Sequence, residues 1–147
     1  MKILIIHGPN LNLLGERETA IYGKTSLKEI NSSLTALAKK EGASVTFFQS
    51  NSEGEIVDAL QAAAKKFDAV VLNPAGFTHT SVAIADAVAA IKIPVVEVHL
   101  SNIKGREEFR KQSYVSPVAA GVVFGFGAES YRLGLRGALA LAGKKKK

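Results

Sequence analysis

The chain has no cysteine among its 147 residues, which excludes disulfides, thiolate nucleophiles and cysteine-ligated metal sites. It has no apolar run long enough to span a bilayer, because Asp86, Lys92 and Glu97 break the best stretch. The opening MKILIIHGPN has one lysine and a short apolar run cut off by Gly8-Pro9. That is too short for a secretory leader and has no small-residue cleavage site. The cytoplasm is therefore the expected compartment. A basic face with interleaved aromatics, as nucleic-acid binding requires, is also missing. The net charge is +6, but Lys144 to Lys147 supply four of those charges, and such a terminal run reads as a solvated, frayed end. Before it there is no repeat, linker or low-complexity segment, so residues 1–143 are expected to form one catalytic α/β domain.

What is present alternates. Five segments rich in Val and Ile read as strands: 2–7, 44–49, 68–73, 93–100 and 119–126. Their apolar residues run on without alternating, as in strands covered on both faces. Helical patterns fall between them at about 27–41, 53–66, 82–91 and 128–142, with a further short helix expected near 105–112. Ser26 and Glu29 have the spacing of a capping box, and Gly42 is a stop. Alternation of this kind predicts a doubly wound, five-stranded parallel sheet of flavodoxin-like order 2-1-3-4-5.

In open parallel sheets, ligands bind beyond the carboxyl ends of the strands. The polar residues at those ends are Asn10, Asn12, Arg17 and Tyr22 after the first strand, and Ser50 and Asn51 after the second. Asn73, Thr78 and His79 come at the end of the third; Glu97, His99, Ser101 and Asn102 close the fourth. His7 is taken as a structural histidine. Glu97 and His99 share one strand face, and read either as an acid/base pair with the carboxylate orienting the imidazole or as a buried structural ion pair. Two histidines without a well-placed third ligand disfavour a metal. Arg17 and Tyr22 are either a solvated arginine and an anchoring tyrosine, or a phenol activated by a neighbouring cation. An unperturbed phenol has a pKa of about 10, and an adjacent cation favours its ionised form.

Other chemistries fit poorly. GPNLNLLG lacks the Lys-Ser/Thr ending of a phosphate loop, and FGFGAES comes after the last strand instead of the first, so it reads as a tight turn. A phospho-receiver domain would need an aspartate where the third strand ends in Asn73.

Three stretches, GPNLNLLGERETAIYG, NPAGFTHTSVAIADA and EVHLSNIKGREEFRKQSYVSP, together resemble the type II 3-dehydroquinate dehydratases (type II dehydroquinases) of the shikimate pathway, from Met1 to about Leu141. The resemblance implies elimination of water from 3-dehydroquinate without metal or organic cofactor. It implies Tyr22 as base, Arg17 as the cation favouring its phenolate, and His99 as acid oriented by Glu97. Asn12 would help place a water at the enolate oxygen, supported by Asn10. The substrate carboxylate would meet Asn73 and the backbone amides of Leu100 and Ser101. His79, Arg110 and Asp86 would bind ring hydroxyls, with Asp86 coming from a neighbouring subunit of a dodecamer of four trimers. An oligomer is also expected from the apolar residues of the 82–91 segment, Val82, Ile84, Ala87, Val88 and Ile91, which exceed one narrow stripe. The chain departs from the family at Thr19-Ala20, where proline is usual, at Ser52 in place of histidine, and at Ala85 in place of arginine.

Overall fold

In the computed structural model, residues 1–144 are described; residues 145–147 of the lysine run lie outside the described residues. The frayed tail expected from Lys144 onward therefore meets the structure only at Lys144, which is the last residue of a helix.

Five parallel strands, β1 (Lys2–His7), β2 (Ser44–Gln49), β3 (Ala69–Asn73), β4 (Val95–His99) and β5 (Gly121–Phe124), lie in the order β2-β1-β3-β4-β5, as expected. The helices are α1 (Thr19–Tyr22), α2 (Leu27–Lys40), α3 (Glu53–Lys66), α4 (Val82–Ala90) and α5 (Glu129–Lys144). Local chemistry sets their starts. Ser26, Ser52 and Ser81 each accept a hydrogen bond from the backbone N–H three residues on, at the heads of α2, α3 and α4. Caps of this kind contribute about 1 kcal/mol each. Ser52, one of the departures from the family pattern, thus begins α3.

Alternate residues of the strands feed two cores. On one face Ile3, Ile5, Val71, Val96 and Val98 pack with Leu34 of α2 and Leu135 of α5. On the other, Leu4, Ile6, Val70, Leu72 and Val95 pack with Ile56 and Leu60 of α3 and Ile84 and Val88 of α4. Burying each such side chain contributes roughly 1.5–3 kcal/mol relative to exposure, so the central strands β1, β3 and β4 are covered on both faces, while the edge strands β2 and β5 stay part-exposed.

Two glycines allow the close approaches that shape the strand ends. A Cβ on Gly8 would come within 2.8 Å of the Asn73 carbonyl oxygen, so only glycine lets the chain leaving β1 cross the end of β3. A Cβ on Gly134 would collide with a Val98 methyl group. Its absence lets α5 settle onto β4.

Two expectations need correction. The helix expected near 105–112 is two short 3₁₀ turns, Ile103–Gly105 and Glu108–Lys111. The Asn102 side chain caps the first turn, and the extended backbone of Arg106 separates it from the second. The apolar surplus of α4 is also largely absorbed within the chain, since Ile84, Ala87 and Val88 are buried. Of the residues cited for it, Val82 stays exposed at 54%. No described helix is long and apolar enough to cross a membrane.

Candidate active site

The chain leaving β1 turns at once. Asn10 takes a left-handed conformation (φ 68°) and heads a 3₁₀ turn, Leu11–Leu13. The Asn51 side chain, just beyond β2, fixes this bend by accepting the Asn10 backbone N–H at 3.0 Å. Three residues per turn bring Leu11 and Leu14 to the same side, and both are buried. Asn12 and Leu13 are consequently exposed. Asn10 lines the pocket that opens at the strand ends, and Asn12 is not among the lining residues. Asn12, the residue expected to help place a water, therefore lies off the pocket walls, and Asn10 lies on them.

That pocket spans about 620 Å³ including the open solvent at its mouth. Its walls include Asn10, Arg17, Tyr22, Asn73, His79, His99, Leu100, Ser101 and Arg110, nine of the residues singled out from sequence. Glu97 lies behind His99, fully buried. Asp86 is exposed on α4, outside the pocket walls of its own chain.

Tyr22 closes α1 and half-buries its ring against the core. Two guanidinium groups attend it, each with its carbon 5.2 Å from the ring centroid: those of Arg17 and Arg106. Sequence reasoning found only the first. Arg17 is also paired with Glu18 at 2.9 Å, whereas Arg106 Nη1 donates directly to the Tyr22 hydroxyl at 2.9 Å. Arg106 reaches Ser101 Oγ as well, at 3.3 Å. It lies four residues before Arg110, and that spacing was a signal. Nothing local, however, reports that the segment after β4 returns to the loop after β1.

His99 Nε2 bonds Glu97 Oε1 at 2.6 Å, which leaves Nδ1 as the nitrogen available to a ligand. The same carboxylate accepts from Thr78 Oγ1 and Ser116 Oγ at 2.5 Å and from Ser113 Oγ at 3.3 Å. Burial pushes the Glu97 carboxyl up, but the bond and charge of His99, with the hydroxyl donors, outweigh it and hold it below the usual range. Glu97 is therefore a buried anion surrounded by donors. His79 is pulled below its ordinary value, chiefly by burial; its Nδ1 bonds the Gln112 carbonyl at 2.7 Å, which acts the other way.

His7 is structural, as expected. It is fully buried and stacked on Phe47, with Nδ1 2.7 Å from the Tyr131 hydroxyl and Nε2 2.8 Å from Asn31 Oδ1. The FGFG segment is a tight turn, with Gly125 (φ 97°) and Gly127 (φ 59°) in the left-handed region.

A doubly wound α/β sheet with a phenol under two cations and a carboxylate-backed imidazole on one rim defines an enzyme of the acid–base class acting on small polar molecules. The family described as Dehydroquinase class II matches residues 1–139. A 3-dehydroquinate dehydratase of Geotalea daltonii is 57% identical over 136 residues, 92% of this chain and 94% of that protein. One from Pelotomaculum thermopropionicum is 57% identical over 143 residues, 97% and 99% of the two chains. The crystal structure of a type II dehydroquinase from Butyrivibrio crossotus superposes with a TM-score of 0.93 at 41% identity, covering 95% of this chain and 97% of that one. The chain belongs to the class II dehydroquinase family.

Proposed function

We propose that this protein eliminates water from 3-dehydroquinate to give 3-dehydroshikimate, a step toward the aromatic amino acids, with Tyr22 as base and His99 as acid. The observation that carries the proposal is the Tyr22 hydroxyl, held at 2.9 Å by Arg106 with Arg17 beside the same ring. Arg106 donates to the phenol oxygen and Arg17 lies over the same ring, so both cations face the charge that a Tyr22 phenolate carries. That phenolate takes the proton from the carbon next to the ketone, and charge passes to the ketone oxygen as an enolate. Asn10, on the wall beside Tyr22, is the amide suited to hold a water at that oxygen.

The enolate then expels the ring hydroxyl, which leaves as water with a proton from His99. Glu97, held ionised, orients the imidazole and offers the charge an imidazolium needs beside it. Tyr22 ends with one proton more and His99 with one fewer, so solvent must reset both before the next turnover. No step requires a metal or organic cofactor. The substrate carboxylate meets Asn73 and the amides of Leu100 and Ser101, while His79 and Arg110 bind ring hydroxyls. This reading keeps the protein in the cytoplasm as a dodecamer of four trimers. Asp86, exposed and outside its own pocket, then serves a neighbour's site; a fully active monomer by sedimentation would contradict that.

The test is incubation with 3-dehydroquinate while following the conjugated enone's ultraviolet absorbance. Folded protein giving no signal sinks the reading. In Tyr22→Phe, exchange of the substrate's acidic proton with deuterated solvent should nearly vanish, along with about 10²–10⁴-fold of the rate. Undiminished exchange would assign the base elsewhere.

A further inference from the structure

Thr78 lies beyond the end of β3, fully buried and off the pocket walls. The segment that follows the second 3₁₀ turn is stitched along it. Tyr114 donates its backbone N–H to the Thr78 carbonyl at 2.8 Å, and the Gln112 carbonyl accepts from His79 Nδ1 at 2.7 Å. Within this seam runs a chain of hydroxyls whose direction is fixed. The backbone N–H groups of Val115 and Ser116 donate to Ser113 Oγ at 3.2 and 3.0 Å. Those two bonds fill the accepting capacity of a hydroxyl oxygen, so Ser113 sends its own hydrogen onward. Its near target is Thr78 Oγ1 at 2.7 Å, with Glu97 Oε1 further off at 3.3 Å. Thr78 in turn donates to Glu97 Oε1 at 2.5 Å, and an ionised carboxylate can only accept. Ser116 Oγ donates to the other oxygen, Oε2, also at 2.5 Å.

We propose that Thr78 and Ser116 are positioning residues for the acid: each holds one oxygen of the Glu97 carboxylate, and together they fix its plane and the ring of His99. A carboxylate held at one oxygen still turns about the bond that joins it to its chain. Oε1 carries His99 Nε2 as well as Thr78, the imidazole at 2.6 Å, so such a turn would drag the ring with it. The Ser116 bond at Oε2 opposes the turn. Ser113 acts one step further back, because its hydrogen occupies the Thr78 oxygen and leaves the Thr78 hydrogen for Glu97. The arrangement reserves Nδ1 of His99 for the pocket, whose wall His99 helps to form. His99 protonates the departing hydroxyl, so a misplaced ring weakens the transition state and leaves substrate binding alone.

This inference rests on the dehydratase reading, and its test separates the two. Thr78→Val keeps the shape of the side chain without its hydroxyl, and Ser116→Ala removes one oxygen from a part-buried residue. With wild type turning over 3-dehydroquinate, each should lower kcat about 10–100-fold, the scale of a small misplacement, with KM changed by less than about threefold. Thr78→Ser, which restores the hydroxyl, should recover kcat. Exchange of the substrate's acidic proton with deuterated solvent, the work of Tyr22, should stay near wild type in all three. Wild-type kcat in both Thr78→Val and Ser116→Ala overturns the assignment. So does a fall in exchange that matches the fall in turnover, since that marks general damage to the pocket. Nitrogen NMR of the His99 ring in the intact protein reads the same positioning without substrate. The Nε2 signal should move in both variants and return in Thr78→Ser; a signal unmoved in both overturns the assignment. Absence of turnover in wild type sinks the dehydratase reading instead, and the NMR comparison then decides the positioning by itself. If Thr78→Val fails to fold, Ser116→Ala carries both comparisons.

Discussion

Two polar networks lie on opposite faces of the sheet, only one of them opening into the pocket, and they are built differently. On the α3/α4 face a single carboxylate, Glu97, collects an imidazole and three hydroxyls. On the α2/α5 face Asn31, His7 and Tyr131 stand in single file, all neutral. A buried charge demands many donors, since desolvating it otherwise costs several kcal/mol. Once saturated it stays charged and can support a proton on its neighbour. A neutral single file stores no charge; it holds its members in fixed orientations. Both networks contain a histidine that ends a strand, His99 of β4 and His7 of β1. The first keeps a nitrogen for the pocket, and the second has both engaged. That difference separates an acid from a structural residue.

The largest effect expected of the comparison is catalytic. His99→Ala should lower kcat by about 10²–10⁴-fold, the usual worth of a general acid, whereas Tyr131→Phe, in the network away from the pocket, should leave kcat close to wild type. Proton exchange from the substrate should survive better in His99→Ala than turnover does. Equal loss of kcat in both variants would erase the distinction between the networks.

Acid stability sharpens it next. Burial draws His7 down to about 4 from an ordinary value of 6.5, although its bond to Asn31 resists. Between those values the unfolded chain binds a proton that the folded one refuses, so stability falls as pH falls through that window. The loss should total roughly 3 kcal/mol, measured by urea unfolding at stepped pH, and His7→Gln should flatten it. Glu97 acts lower. Its depressed pKa contributes stability that is present above the ordinary carboxylate value of 4.5 and lost as pH falls below it. His79, also held low by burial, adds to the upper window, so His7→Gln should shrink that window and leave the lower, carboxylate one in place.

The smallest effect is on folding at neutral pH. Glu97→Gln places an amide nitrogen among donors and should cost about 1–3 kcal/mol, the penalty for leaving a buried polar group poorly matched. Its midpoint in urea should fall with an unchanged slope. A variant as stable as wild type would show that the hydroxyls re-pair with solvent.

Sequence by itself determined the strands, the larger helices, the sheet order and the rim where the site sits. These come from periodicity, serine caps and the rule that ligands meet strand ends, all of which act over a few residues or along one connection. The Glu97–His99 pair was visible for the same reason, since two residues on one strand face are neighbours by geometry. Tertiary structure alone decided which asparagine faces the pocket, because the left-handed turn at Asn10 rotates Asn12 outward. It alone brought Arg106 to Tyr22, 84 positions apart in the chain, and Tyr131 to His7, 124 apart. Such contacts depend on how α5 seats on β4 and how the loops after β1 and β4 meet. No local pattern encodes them, because each is the sum of packing choices made along the whole chain.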